Sequence, residues 1–205
     1  MDRSELPVKS KTGIVVIASS TGGPGALLKV LPELPADFPY PVVIVQHMWV
    51  GFTSHFAKAL GEKCALPVVE AEYGARVVPG HIYIAPAGKH LRIRHIPAAH
   101  IMELTNDPQR NGVRPSADYL FESLVQTNFD HVIAVVLTGM GCDGTEGIVT
   151  LSKHKKVTVI AQDEETSVVD GMPGSVRKAI PDCRVLPIEE IGEDIKAEIR
   201  KLMEG

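Results

Sequence analysis

GIVVIASSTGG, residues 13–23, is the stretch that decides the fold. Its first six residues are a continuous, mostly β-branched apolar run. A strand buried on both faces of a parallel sheet reads this way. Two serines, a threonine and two glycines follow at once. Leu27, Leu28, Val30, Leu31 and Leu34 then recur at near-helical spacing. The order is strand, tight turn, helix. The same unit returns at PVVIVQ (41–46), followed by a helix over 54–64 with Phe56, Ala59 and Leu60 on one face. LPVVEA (66–71) and HIYIAP (81–86) read as a third and fourth strand. Further along, HVIAVVLT (131–138) precedes a helix over 145–154, and VTVIAQ (157–162) a short helix over 174–180. CRVLP (183–187) and an amphipathic helix over 188–203 close the chain.

Residues 88–104 break the rhythm. KHLRIRH and AHIMELT alternate polar and apolar around IPAA, which predicts a hairpin with one wet face. The turn-rich TNDPQRNGVRPS (105–116) is a loop, and Ser116 is placed to cap a helix over 117–126. The expected class is therefore α/β: a doubly wound, mostly parallel sheet flanked by helices, with an antiparallel hairpin at one edge. Residues 1–12 read as a linker or disordered tail, and 13–205 as one domain.

Composition agrees. The chain has 205 residues, of which 44% are hydrophobic, so it can build one core but not two ordinary catalytic domains. The net charge of −4 argues against a general nucleic-acid binder. Three cysteines without a CxxC pair indicate neither a zinc ribbon nor a disulfide framework. The polar start lacks a signal-peptide core, and no apolar run approaches membrane-spanning length. The expected setting is the cytoplasm, without membrane insertion.

In open α/β sheets ligands bind beyond the carboxyl ends of the strands, where strand order reverses. The residues at those ends are Ser19-Ser20-Thr21-Gly22-Gly23, His47-Met48, Gly139-Met140-Gly141-Cys142-Asp143-Gly144 and Asp163-Glu164-Glu165. If the first strand lies between the second and the one at 131–138, a serine, a histidine and an aspartate converge there. That is the composition of a nucleophile, a base and an orienting acid. Gly22 and Gly23 permit a tight strand-to-helix turn with free N–H groups beside the serine. Asp143 is expected at the start of the following helix, where a carboxylate is favoured. Rival readings stay open. A glycine turn after a first strand also cradles phosphates, although SSTGGPG is not GxGxxG and Gln46-His47 stands where an acidic ribose ligand belongs. The G-x-S-x-G elbow is absent. Cys142 is an alternative thiol nucleophile. His55 is expected to face solvent; His81, His90, His95 and His100 cluster around the hairpin, where alternation and solvent exposure explain them and a metal site is the alternative.

Taken together, IASSTGGP, VIVQHM and VVLTGMGCDGTEG, in this order, are specific. With GFTSHFAKAL, PGHIYIAPAGKHL, RPSADYLFESL and IAQDEETSVVDGMP they resemble the catalytic domain of the chemotaxis protein-glutamate methylesterases, the CheB family. The similarity runs from about Gly13 to Ile188. It implies hydrolysis of glutamate methyl esters on cytoplasmic helices of chemoreceptors, and deamidation of certain receptor glutamines, with no cofactor and no metal. By resemblance the catalytic residues are Ser20, His47 and Asp143, with Thr21, Gly22 and Met140 as oxyanion or active-site support. Ser19, where the family often has alanine, leaves the nucleophile ambiguous by one residue; alignment on TGG favours Ser20. Cys142 stands where the family often has asparagine. The usual member also carries an N-terminal receiver domain, which these 205 residues do not include. Partners implied are the methylated receptor helices and that receiver domain.

Overall fold

The computed structural model describes residues 12–204. The tail expected over 1–12 lies almost wholly outside them. Thr12 is held at both ends: its N–H donates to Asp130 Oδ2 at 2.8 Å, and its carbonyl accepts the N–H of Asp130.

Seven strands form one parallel sheet: β1 (Gly13–Ser19), β2 (Val42–Gln46), β3 (Val68–Glu70), β4 (Ile82–Ile84), β7 (His131–Val136), β8 (Val157–Gln162) and β9 (Arg184–Leu186). Their order is β3-β4-β2-β1-β7-β8-β9. From β1 the chain adds β2, crosses to the edge at β3 and fills the gap with β4, then returns and builds outward on the other side through β7, β8 and β9. The reversal point expected from the sequence therefore falls at β2-β1-β7. The hairpin strands β5 (His90–Ile96) and β6 (Ala99–Thr105) form a sheet of their own. Among the described residues its antiparallel bridge outside the hairpin runs from Ile101 to Arg76.

β1 explains why the sheet is covered on both sides. Every residue in it is buried. Val15 and Ile17 point to one face and pack with Leu27 and Val30 of α1 (Gly23–Val30), Leu60 of α2 (Thr53–Gly61) and Ile191 and Ile195 of α6 (Ile188–Glu204). Ile14, Val16 and Ala18 point to the other. There they meet Leu120 and Phe121 of α3 (Ala117–Ser123), Ile148 and Leu151 of α4 (Thr145–Ser152), Met172 and Val176 of α5 (Gly171–Ala179), and Leu91, Ile93 and Met102 of the hairpin. Full burial of each such side chain is worth roughly 1.5–3 kcal/mol, so β1 tolerates little change.

Some sequence expectations shift by a residue or two. Helix α5 begins at Gly171, not 174, because Pro173 fits a first helical turn, where its missing N–H is no loss. On α2 the buried small residue is Ala57, while Ala59 is exposed. His90, expected to be exposed, is fully buried and lies edge-on to Tyr119 at 4.5 Å. No helix of the described residues is long and apolar enough to cross a membrane.

Candidate active site

The parallel ladder continues past the strand ends and carries the candidate residues with it. In the β1–β2 register Ser19 is paired with Gln46, so Ser20 and His47 are the next rung. The N–H of His47 donates to Ser19 O at 3.0 Å, and the N–H of Ser20 to Thr138 O at 3.0 Å. The Gln46 side chain ties the two loops together. Its Oε1 accepts from Ser19 Oγ at 2.7 Å, and its Nε2 donates to Ser20 O and His47 O at 3.0 and 2.7 Å. These bonds separate the two serines. Ser19 is fully buried with its hydroxyl engaged, whereas Ser20 is half-buried at the turn.

Asp143 lies 96 residues beyond His47 in the chain, yet its Oδ2 is 2.9 Å from His47 Nε2. The imidazole is 11% exposed and the carboxylate 3%. The carboxylate does not serve the helix that follows it. It accepts the N–H of Ala117 at 2.7 Å and of Asp118 at 3.3 Å, both in the first turn of α3. The capping role expected of Ser116 is corrected accordingly: Ser116 Oγ donates to Asp143 Oδ1 at 2.6 Å, and Asp143 takes the helix N–H groups instead. Burial pushes the Asp143 carboxyl up, but bonds from His47, Ser116 and Ala117 outweigh it and hold the group below the usual carboxylate range. Asp143 is therefore ionised, and His47 presents Nε2–H to it. That leaves the Nδ1 lone pair free. No hydrogen bond joins Ser20 Oγ to the imidazole among the described residues. Such contacts are often long in a site without substrate and tighten when the reacting group binds.

The supporting residues surround Ser20. Gly22 has φ +82°, which turns the chain into α1; an added Cβ would sit 2.7 Å from the Val168 side chain. Thr21 is exposed, and its carbonyl accepts from Thr138 Oγ1 at 2.9 Å. Gly139 packs directly on Ser20: a Cβ there would lie 2.7 Å from Ser20 Cβ. Met140 beside it is 71% exposed. Among the described residues the N–H groups of Thr21 and Met140 have no acceptor, so both are available to a bound oxygen. His47 opens onto a cleft of about 350 Å³ lined by Met48, Trp49, Val50, Gly88, Gln109 and Val113. Cys142 is exposed and takes no part in these bonds. No cluster of His, Cys, Asp or Glu with metal-ligand geometry exists among the described residues.

The family model for the CheB methylesterase matches residues 15–195. The chain belongs to that family. A relative from Desulfotalea psychrophila, named protein-glutamate methylesterase/protein-glutamine glutaminase, is 44% identical over 91% of this chain and 52% of its own length. One of the same name from Halalkalibacterium halodurans is 42% identical over 96% of this chain and 57% of its own. The chain thus spans about half the length of these CheB relatives. The crystal structure of the Thermotoga maritima CheB methylesterase catalytic domain superposes with a TM-score of 0.86 at 42% identity, covering 95% of this chain and 98% of that one. Fold and family expectations from the sequence hold.

Sequence reasoning missed Gln46, Ser116, Asn111 and Asp118 around this site. The strand-end position of Gln46 was visible in VIVQHM. Nothing in RPSADYLFESL discloses that its serine faces a residue 27 positions away.

Proposed function

We propose that the chain is a serine hydrolase that removes methyl esters from glutamate side chains on chemoreceptor cytoplasmic helices, and deamidates specific receptor glutamines. The observation that carries this is the His47–Asp143 pair, 2.9 Å apart, on the rung beside Ser20 in a chain of the CheB methylesterase family. The names of the relatives, methylesterase and glutaminase, fit one site that forms a glutamyl-enzyme from either substrate.

In this reading Ser20 Oγ attacks the ester carbonyl while His47 Nδ1 takes its proton. Nε2–H stays on Asp143, whose charge stabilises the imidazolium. The N–H groups of Thr21 and Met140 receive the oxyanion; loss of one such donor typically costs about 3 kcal/mol in the transition state. Methanol, or ammonia from a glutamine, departs with the proton held on Nδ1. Water then attacks the acyl-enzyme with His47 again as base, and the glutamate carboxylate is released. Gly22 supplies the turn that aims Thr21. No cofactor enters these steps. The longer relatives leave room for a receiver domain, which we take to be the regulatory partner of this domain; receptor helices at the membrane face would place the enzyme in the cytoplasm.

The test is methanol release from a methylated receptor fragment. Ser20→Ala and His47→Ala should each lose several orders of magnitude in kcat, and Ser19→Ala little, because its hydroxyl is buried against Gln46. Near-normal turnover by Ser20→Ala ends the assignment.

A further inference from the structure

The block RPSADYLFESL contributes no atom to the proposed reaction, yet it surrounds Asp143. Ser116 Oγ gives Oδ1 its shortest hydrogen bond, 2.6 Å. The N–H of Asp118 and the Asn111 amide reach the same oxygen at 3.3 and 3.4 Å. Oδ2 is left to the N–H of Ala117 and to His47 Nε2. The two carboxylate oxygens are therefore not equivalent: one is occupied by the α3 side of the site, the other faces the imidazole.

Ser116 is itself held from behind. It is fully buried, and its N–H donates to His90 Nδ1 at 3.1 Å. An Nδ1 that accepts must leave the hydrogen on Nε2, which donates to Pro108 O at 3.1 Å. Burial lowers the His90 pKa below its ordinary value, which favours this neutral form. The hairpin, the 105–116 loop and the start of α3 thus converge on a single residue, Ser116.

The geometry points to Ser116 as a positioning residue that acts through Asp143. Its hydroxyl, anchored on Oδ1, holds the carboxylate so that Oδ2 stays against His47 Nε2, and an acceptor fixed there keeps the hydrogen on Nε2 and the lone pair on Nδ1. The kinetic consequence rests on the hydrolase reading above; the tautomer does not. Without the Ser116 hydroxyl, Oδ1 keeps only the long contacts from Asp118 N–H and Asn111 Nδ2, so the carboxylate is freer to turn about its Cβ–Cγ bond and the imidazole loses its fixed partner.

Two measurements on the folded chain test this. One is the nitrogen-15 NMR spectrum of the His47 ring without substrate; the other is steady-state hydrolysis of a methylated receptor fragment. In Ser116→Ala, kcat should fall about tenfold or more with KM within about twofold, as for loss of a bond to a charged group felt in the transition state. The ring signals should shift from a single Nε2–H tautomer to a mixture. Ser116→Thr, which keeps the hydroxyl on an extended backbone, should restore both. Ser116→Cys keeps the size with a weaker donor, so it should fall between; it also serves if the alanine variant fails to fold. Unchanged tautomer and kcat in Ser116→Ala overturn the inference, as does a threonine variant as impaired as alanine. A wild-type chain with the expected tautomer but no esterase activity overturns the hydrolase reading and leaves the role of Ser116 standing.

Discussion

On the β2 side of the cleft, His47 is held by side chains that give and accept hydrogen bonds. On the β8 side, Ser20 is hemmed in by chain whose side chains are missing. Gln46, Ser116, Asn111 and Asp118 build the first flank through polar contacts of 2.6–3.4 Å. Gly139 and Gly171 build the second. A Cβ on Gly171 would stand 2.7 Å from Gly141 N and 2.8 Å from Gly139 O, so the loop after β7 and the start of α5 lie backbone on backbone. The bond from the N–H of Met172 to Gly139 O, 2.8 Å, closes that contact. The polar flank is sensitive to charge and to donor identity. The glycine flank is sensitive to volume.

That contrast can be broken most severely on the glycine side. Gly139→Ala would bring a methyl 2.4 Å from Met172 Sδ and 2.7 Å from Ser20 Cβ. We expect a loss of about 1–3 kcal/mol in denaturant stability, from overpacking, together with near-complete loss of esterase activity. An active, fully stable Gly139→Ala protein would show that the flank yields more easily than its contacts imply. On the polar side the corresponding change is Asp143→Asn. It preserves shape but offers the imidazole and the α3 N–H groups a neutral partner. kcat should drop by about 10⁴ with little change in KM, measured by methanol release.

A smaller effect separates the two carboxylates within the polar flank. Asp118 is fully buried and accepts from Gly147 N–H at 2.7 Å and Asn111 Nδ2 at 2.8 Å, with Arg110 Nε 3.5 Å away. Burial pushes its carboxyl up to about 6; the bond from Gly147 opposes this, and the charge of Asp143 adds to it. A carboxyl whose folded pKa is raised binds its proton more tightly when native. Its contribution to stability is present below the unfolded value of 3.8 and is lost as pH rises through about 6. Asp143 behaves oppositely: its lowered pKa adds stability above 3.8 that is lost as pH falls through the folded value. The wild type should therefore lose unfolding free energy between about pH 4 and pH 7 that Asp118→Asn does not lose, as denaturation followed across this range would show. Equal slopes for the two proteins would place the effect elsewhere. The mildest change lies outside both flanks. Gly25, in the first turns of α1, would meet nothing within 4 Å if given a Cβ. Gly25→Ala should raise stability by at most about 1 kcal/mol and leave activity alone, as thermal melting would show.

The sheet was legible because its evidence is local. A run such as Ile14–Ala18, apolar at every position, has little other use than a strand covered on both faces. The strand-end rule then gathered the Ser19-Ser20 pair, His47 and Asp143 beyond the carboxyl ends of the central strands, and the resemblance singled out Ser20. The direction in which Asp143 works was not legible. Its chain neighbour is α4, but its carboxylate serves α3, a contact made through folding and not along the sequence. His90 misled for a related reason. Alternation marks one face of a hairpin as polar without saying which residue is covered by a later loop, and Pro108 and Ser116 supply that cover. The helix start at Gly171 was not legible because the reason for its missing side chain, the backbone of Gly139 and Gly141, lies some 30 positions upstream.

The rung that carries Ser20 and His47 has a consequence for durability. Both residues hang from the two most deeply covered strands, and their N–H groups prolong the ladder, one toward Thr138 O and the other toward Ser19 O. Their separation is inherited from the spacing of neighbouring strands, about 4.8 Å, and not from a flexible loop. Ser20 and His47 should consequently stay in register under heat or denaturant for as long as the centre of the sheet survives. Asp143, reached through the glycine loop 139–144, is the member of the three with a separate point of failure, and a partly denatured chain would keep its serine beside its histidine after the aspartate had let go.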